Sequence, residues 1–122
     1  MISLGHADPN FIKNLFLTPE VNGSRIFGVN FHDLGVQTTI VIDDYIPFSS
    51  SRPLYSKASD NKGLWPVILE KAFAKFHGNY RAIESGSVDR SVEVLTGFPG
   101  FYKRASDFTV DSLWAFLSSE TA

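Results

Sequence analysis

The chain has 122 residues, 43% of them hydrophobic and 14% aromatic, and a formal net charge of −2 at pH 7. This length fits one domain or part of one, and the hydrophobic content allows a buried core. The slightly acidic charge, without a Lys/Arg cluster, excludes the basic surface of a typical nucleic-acid-binding protein. No apolar run is long enough to span a membrane and no signal peptide is visible, so we expect a cytoplasmic protein.

The first predicted element is a short helix over residues 10–16. Asp8 suits a helix N-cap and Pro9 suits the first helical position. The apolar side chains of this stretch share one face: Phe11, Ile12, Leu15 and Phe16. We therefore expect this helix to pack against the core after a loop that leads into the next element.

A β-hairpin comes next. Residues 25–31 and 36–42 are rich in residues that favour strands, and residues 32–35 between them have a glycine late in the turn. Residues 40–42 of the second strand are consecutive apolar residues. A continuous apolar run is typical of a strand with both faces covered, and we expect this here.

The longest predicted helix runs from Leu64 to His77, after a loop over residues 43–53 and a short strand at residues 54–55. Its apolar residues recur at the i, i+3, i+4, i+7 spacing of one buried face. They are Trp65, Ile68, Leu69, Ala72, Phe73 and Phe76. Gly78 follows, at the position where a helix end favours a left-handed residue.

Two further helices are predicted in the last third of the chain. Ser87 is placed to cap a helix that closes at Gly97, and Thr109 is placed to cap the last helix. The apolar face of the last helix comprises Val110, Leu113, Trp114 and Leu117. Because Trp65 and Trp114 both fall on apolar helix faces, we expect both in the core.

The chain contains no cysteine, which excludes a disulfide, a Cys-based metal site and a thiol nucleophile within it. It has three histidines, and we expect all of them at the surface. His6 lies in a predicted loop, His32 in the predicted hairpin turn, and His77 at a helix C-terminus, where a cation suits the helix dipole.

The segment Gly63–Gly97 has a tryptophan, then Glu-Lys-Ala-Phe-Ala-Lys, a Gly, a Tyr, an Ala, a Ser/Gly loop and Thr-Gly. This order resembles the signature run of the calpain protease core. Ile26–Phe48 resembles the calpain strand pair that ends in Val-Asp-Asp-x-hydrophobic-Pro. In the first segment the resemblance rests on Trp65, Glu70, Lys71, Ala72, Phe73, Ala74, Lys75, Gly78, Tyr80, Ala82, Gly86, Ser87, Glu93, Thr96 and Gly97.

The resemblance implies an α+β fold, a partial papain-like cysteine-proteinase lobe with several helices and a small antiparallel sheet. Residues 1–122 would form a single partial domain. Residues 2–16 resemble the calpain region directly after the helix that bears the catalytic cysteine, and residues 112–122 resemble the helix that leads out of that lobe. The Cys, His and Asn of the catalytic triad would then lie outside this chain.

The resemblance also implies that Glu70 contributes to a calcium site of the intact domain. Calcium takes about six to eight oxygen ligands, so the others would come from outside the chain, and no calcium is expected for this chain alone. The alternative is a solvated glutamate near Lys71 and Lys75. Asp43 and Asp44 point to opposite faces as strand neighbours, and we expect them to cap the next turn rather than share an ion.

Gly86 corresponds to the second glycine of a Ser-Gly-Gly loop whose backbone, in calpains, hydrogen-bonds the extended substrate. Ser85 stands where the family has the first glycine, and Glu84 stands where it has serine. These departures add a side chain and a charge at the cleft edge. Gly86 and Ser85 are therefore candidate substrate-binding residues, and an ordinary surface loop is the alternative.

The leading hypothesis is a fragment of a calpain-like, calcium-dependent cysteine endopeptidase, inactive as this isolated chain. Its partners would be the remainder of the protease core and a protein or peptide substrate. The whole enzyme would hydrolyse peptide bonds through an acyl-thiol intermediate. The alternatives are a degenerate calpain-like pseudoprotease module with a binding or assembly role, and an unrelated small α+β domain.

Overall fold

The computed structural model describes Asp8 and residues 10–18, 20, 22–50, 52–53, 56 and 63–120. The strands pair antiparallel in two separate two-stranded sheets, and with the helices they confirm the expected α+β class. Among the described residues, no helix is both long and apolar enough to cross a membrane. Two short 3-10 helices accompany the following elements: α1 (Phe11–Leu15), β1 (Ile26–Asp33), β2 (Val36–Asp43), β3 (Phe48–Ser49), β4 (Arg52–Pro53), α2 (Trp65–Phe76), α3 (Val88–Thr96) and α4 (Val110–Glu120).

Helix α1 is shorter than predicted. It begins at Phe11 after Asn10, and the Oδ1 atom of Asp8 accepts a hydrogen bond of 2.9 Å from the Asn10 backbone N–H. The aspartate thus supports the start of the helix from three residues before it, and the predicted N-cap lies too early in the chain.

The β1–β2 hairpin is longer than predicted because its turn contains only two residues. Leu34 and Gly35 have φ values of 49° and 82°, the backbone of a tight hairpin turn that follows the twist of the strands. The predicted four-residue turn is therefore too wide. His32 and Asp33 remain in the ladder, paired with the first residues of β2.

One face of this hairpin forms the core. Val41 points to the other face and is 52% exposed, so the expectation that both faces of β2 are covered is wrong. The reason is that the core cluster lies only on the side of Ile42. The buried strand residues on this side are Phe27, Val29, Phe31 and Ile42.

Helix α2 packs over the core face. The Phe31 ring lies edge-on to the rings of Phe73 and Phe76, with centroid distances of 5.7 and 5.6 Å. Trp65 is 39% exposed, because the buried part of the helix begins at Val67. The prediction that Trp65 lies in the core is therefore wrong. The buried residues of α2 are Val67, Ile68, Leu69, Ala72 and Ala74.

The C-terminus of α2 lies where it was predicted. His77 is the C-cap residue, and Gly78 has a φ of 104°. The His77 ring lies 4.5 Å from the Phe73 ring centroid and 5.1 Å from that of Phe76. These rings half-bury His77, so the expectation that it lies at the surface is wrong.

Two lysines of α2 hydrogen-bond to the end of β2 and to the turn after it. Lys71 Nζ donates to the Asp43 carboxylate and to the carbonyl oxygens of Asp43 at 3.2 Å and Tyr45 at 2.6 Å. Lys75 Nζ donates to the carbonyl oxygen of Val41 at 2.7 Å. The bond from Lys71, together with one from the Tyr45 backbone N–H, holds the pKa of Asp43 below its ordinary value.

Helix α3 covers the end of β1 at His32. Gly97 ends α3 with a φ of 77°, as predicted, and a Cβ atom added there would lie 2.8 Å from the His32 ring. Arg90 of α3 reaches Asp33 at 3.7 Å. His32 is half-buried in β1 instead of exposed in a turn, because the turn is shorter than predicted.

The connection between β2 and α2 also differs from its prediction. Residues 43–53 were predicted as loop, yet β3 and β4 pair within them, with Phe48 opposite Pro53. Strands of two residues are too short to display the alternation by which a strand is predicted. The short strand predicted at residues 54–55 lies outside the described residues.

Helix α4 begins at the predicted cap. The Ser112 N–H donates to Thr109 Oγ1 at 3.3 Å, and the Thr109 N–H donates to Ser112 Oγ at 2.9 Å. Its predicted apolar face is not buried: Trp114 is 72% exposed, so its predicted place in the core is wrong. The helix contacts the segment before it instead, with the Phe116 and Phe108 ring centroids 5.6 Å apart.

We expect Gly97→Ala to lower the free energy of unfolding by about 2 kcal/mol or more, because alanine is strained at positive φ and its Cβ would press on the His32 ring. Gly23→Ala is the matched control, since nothing lies within 4 Å of a Cβ there and its φ is not positive. Urea denaturation measures the free energy of unfolding of both variants. Equal stability of the two variants would contradict the close packing of α3 on β1.

We expect Asp43→Asn to reduce stability at pH 7, because the ionised carboxylate that Lys71 binds is lost. Since the pKa of Asp43 is lowered in the folded state, its contribution is complete above the unfolded pKa of about 3.9 and disappears as pH falls through the folded value. Urea midpoints from pH 7 to pH 2 should therefore converge for the variant and the parent. Glu84→Gln, at an exposed glutamate, is the control. A difference in urea midpoint between Asp43→Asn and the parent that does not change with pH would contradict the stabilising role of the ionised Asp43 carboxylate.

Candidate functional site

The candidate substrate loop lies between the 3-10 helix at Tyr80–Ile83 and α3. Ser85 and Gly86 are both exposed. A Cβ added at Gly86 would meet no atom within 4 Å, and its backbone N–H and C=O have no backbone hydrogen-bond partner among the described residues. Free backbone groups on an open surface are what an extended peptide needs in order to pair with a loop.

Both ends of this loop are fixed by local hydrogen bonds. On the N-terminal side, Asn79 Oδ1 accepts a 2.9 Å bond from the Ala82 N–H and starts the 3-10 helix, an element that the sequence pattern did not reveal. On the C-terminal side, Ser87 occupies the predicted N-cap position of α3. Its side chain makes no cap bond to the helix backbone, but its carbonyl oxygen accepts hydrogen bonds from the Ser91 N–H at 3.3 Å and from Ser91 Oγ at 3.2 Å. The nearby Ser87 hydroxyl holds the pKa of Asp89 below its ordinary value.

The first turn of α3 is also packed from outside. A Cβ added at Gly100 would lie 2.4 Å from the backbone oxygen of Asp89, so the chain after α3 passes very close to the start of this helix. Only glycine permits such an approach. The sequence offers a partial signal for it in the Phe-Pro-Gly-Phe run at residues 98–101, where a proline and a glycine interrupt an aromatic stretch, but this run does not reveal the contact.

Glu70 lies half-buried on α2, and one of its oxygens is already engaged. Its Oε2 atom accepts a 2.8 Å hydrogen bond from the backbone N–H of Ser56. No hydrogen bond or ion pair in the described part of the chain joins Glu70 to Ser85 or Gly86. The structure therefore places the two candidate sites on separate elements.

The other acidic residues considered as metal ligands are engaged elsewhere. Asp43 Oδ1 accepts from the Tyr45 N–H at 2.8 Å, the predicted turn cap, and also binds Lys71. Asp44 pairs with Arg25 at 3.0 Å. Within the described residues, no three His, Cys, Asp or Glu side chains gather where they could hold a metal ion. Glu70 alone cannot provide the oxygen ligands that calcium requires.

The described histidines do not form a catalytic pair with each other. The Nδ1 atom of His32 is buried and has no hydrogen-bond partner in the described residues, and His77 packs on phenylalanine rings. His6 lies outside the described residues. A cysteine protease needs a thiolate and a histidine in contact, and this chain has no cysteine to supply the first.

An apolar cavity of about 180 Å³, not predicted from the sequence, lies between the β3–β4 hairpin and the first turns of α2. Its walls include Phe48 and Pro53 on the hairpin side and Val67 and Ile68 on the helix side. Two-residue strands gave no pattern from which this arrangement could be predicted. The residues of α2 that line the cavity lie about one helical turn before Glu70.

The chain is similar to known proteins over most of its length. Residues 6–122 match a family described as calpain family cysteine protease. The calpain-type cysteine protease DEK1 of Zea mays is 40% identical over 90 residues, which are 73% of this chain and 4% of that protein. Calpain clp-1 of Caenorhabditis elegans is 37% identical over 76 residues, 62% of this chain and 10% of that protein.

Calpain-A of Drosophila melanogaster is 35% identical over 78 residues, 64% of this chain and 9% of that protein. The chain thus spans a tenth or less of the length of these relatives. The family match covers the hairpin, α2, the Gly86 loop and α3, the elements on which the sequence resemblance rests. This chain belongs to the calpain family of cysteine proteases.

Proposed function

We propose that this chain is part of the cysteine-bearing lobe of a calpain-type endopeptidase, and that residues 1–122 form one partial domain of it. The observation that supports this most is the open backbone of the Gly86 loop in a chain of this family. In the intact enzyme the loop would pair with an extended peptide, and the β1–β2 hairpin with α2 and α3 would hold the loop in place.

The nucleophile of such an enzyme must come from outside this chain. A cysteine thiolate attacks the peptide carbonyl, the amine leaves with a proton from histidine, and water then releases the acyl group from sulfur. None of the 122 residues is a cysteine. The chain by itself is therefore proposed to be inactive, and its partners are the remaining parts of the protease core and a protein substrate.

Calcium dependence is a further part of the proposal for the intact domain. Of the residues in this chain, Glu70 would supply one ligand, through the Oε1 atom that Ser56 does not engage. The described residues do not complete a site, so the other ligands would have to come from elsewhere in the domain.

A pseudoprotease module with a binding or assembly role is the second candidate. It is favoured by Glu84 and Ser85, which put a charge and a side chain where the family resemblance expects serine and glycine. A binding role would use the same exposed loop without catalysis. The two candidates differ in whether a cysteine precedes this region in the complete protein.

The coding sequence around this region separates the two candidates. We expect the source transcript to encode a Cys-Trp motif in frame upstream of Ile2, and the correspondingly extended protein to cleave casein. A Cys→Ser variant of that protein and the 122-residue chain itself should both be inactive. An initiator at Met1 with an upstream in-frame stop codon would overturn the protease proposal in favour of the pseudoprotease.

The Gly86 loop can be tested in the same extended protein. We expect Gly86→Val to raise KM for a peptide substrate about tenfold with a smaller change in kcat, because a bulky side chain hinders the close approach of substrate backbone. Gly23→Val is the control, at another glycine with open space around it. Equal KM values for both variants would remove Gly86 from the substrate site.

The isolated chain should self-associate, because it exposes a group of large apolar side chains around α4. These are Phe98, Phe101, Tyr102, Val110 and Trp114, each 69–87% exposed. Light scattering should give an apparent mass that rises with concentration, less so for Phe101→Ser/Trp114→Ser than for the control Val36→Ser/Val88→Ser. A monodisperse, thermally stable monomer would count strongly against a lobe fragment.

A further inference from the structure

The hydrogen bond between Glu70 and Ser56 joins two parts of the chain that are 14 residues apart. Ser56 lies three residues after the end of β4, and Glu70 lies in the second turn of α2. The donor is a backbone N–H and the acceptor is a carboxylate oxygen in a partly buried position. Charge-assisted bonds of this kind are among the stronger hydrogen bonds in proteins.

Among the described residues, the Ser56 amide is the one hydrogen-bond or ion-pair partner of Glu70. The neighbouring lysines of α2 are directed to β2 and the turn after it, through Asp43, Tyr45 and Val41. No ion pair in the described structure includes Glu70. The Ser56 amide is therefore the group that this carboxylate satisfies.

The bond lies beside the apolar cavity. Val67, one helical turn before Glu70, contributes to one wall, and Pro53, three residues before Ser56, contributes to the opposite wall. The bond between Ser56 and Glu70 thus links a residue shortly after β4 to α2, next to this cavity. Without this bond, the contacts that the described residues show between the β3–β4 hairpin and α2 would be the apolar ones around the cavity.

We propose that Glu70 is a positioning residue that anchors Ser56, three residues after β4, to α2 through the Ser56 amide, and so holds the β3–β4 hairpin against the first half of α2. This role is separate from substrate binding and from calcium, and it operates in the 122-residue chain itself. What the role requires is an acceptor oxygen at position 70, rather than a negative charge.

Amide hydrogen exchange followed by NMR tests this on the 122-residue chain. We expect Glu70→Ala to accelerate exchange of the Ser56 amide about tenfold. Glu70→Gln keeps an acceptor oxygen, and we expect it to stay within about threefold of the parent. Amides in the middle of α2 should change little in either variant, which separates loss of an anchor from general destabilisation.

Two controls sharpen the result. Ser56→Ala keeps the backbone donor and should leave the protection factor at position 56 unchanged. Glu84→Ala removes a different, exposed glutamate and should also leave it unchanged. The proposal would be overturned if the Ser56 amide of Glu70→Ala exchanged at a rate within twofold of the parent rate. It would also be overturned if exchange of all α2 amides accelerated equally. If Glu70→Ala does not fold, Glu70→Gln decides: retained protection of Ser56 supports the anchor and lost protection overturns it.

Calcium chloride and magnesium chloride provide the last comparison. We expect neither salt to alter Ser56 exchange in the parent chain, since the anchor needs no ion. A calcium-specific change that Glu70→Ala abolishes would overturn the separation of the two roles. Because the readout is made on the isolated chain, it does not depend on whether the extended protein is a protease.

Discussion

The contact between α2 and the core face of the β1–β2 hairpin is the constraint on which the other elements depend. It combines the edge-on packing of Phe31 with Phe73 and Phe76 and the reach of Lys71 and Lys75 to the end of β2. Apolar packing supplies the driving force, on the order of 2 kcal/mol for a fully buried phenylalanine. The lysine bonds are directional, so they fix where along β2 the helix lies.

From this contact the position of the candidate substrate loop follows. Helix α2 ends at Phe76, the 3-10 helix begins two residues after Gly78, and α3 returns to cover His32 at the end of β1. The Gly86 loop connects these two elements, and hydrogen bonds among the described residues hold it at both ends. Such a loop is open to a ligand while its supporting elements remain packed, which is the arrangement expected of binding loops on a rigid scaffold.

The sequence predicted the elements better than their packing. Helix periodicity located α2, and the glycines at positions 78 and 97 marked helix ends, because these signals are local. Burial of Trp114 was predicted from the same kind of periodicity and is wrong, since periodicity identifies an apolar face but not what covers it.

The candidate site was predictable only in part, for a similar reason. The family resemblance located Gly86 and Ser85 on a loop, and the structure places both at the surface. The bond of Glu70 to Ser56 left no trace in the sequence, because a backbone amide has no side-chain identity to detect. The same holds for the half-burial of His32, which depends on a turn shorter by two residues than its composition indicated.

The reciprocal bonds between Thr109 and Ser112 have a consequence for how α4 would meet a partner. An isolated helix of 11 residues is marginal in water, and a capping pair favours its folded form before anything packs on it. A surface that is already helical loses less conformational entropy on association than one that must fold while it binds. A surface that packed on Trp114 would therefore meet a helix that is already formed, and the strength of that association would depend in part on the Thr109 and Ser112 hydroxyl groups.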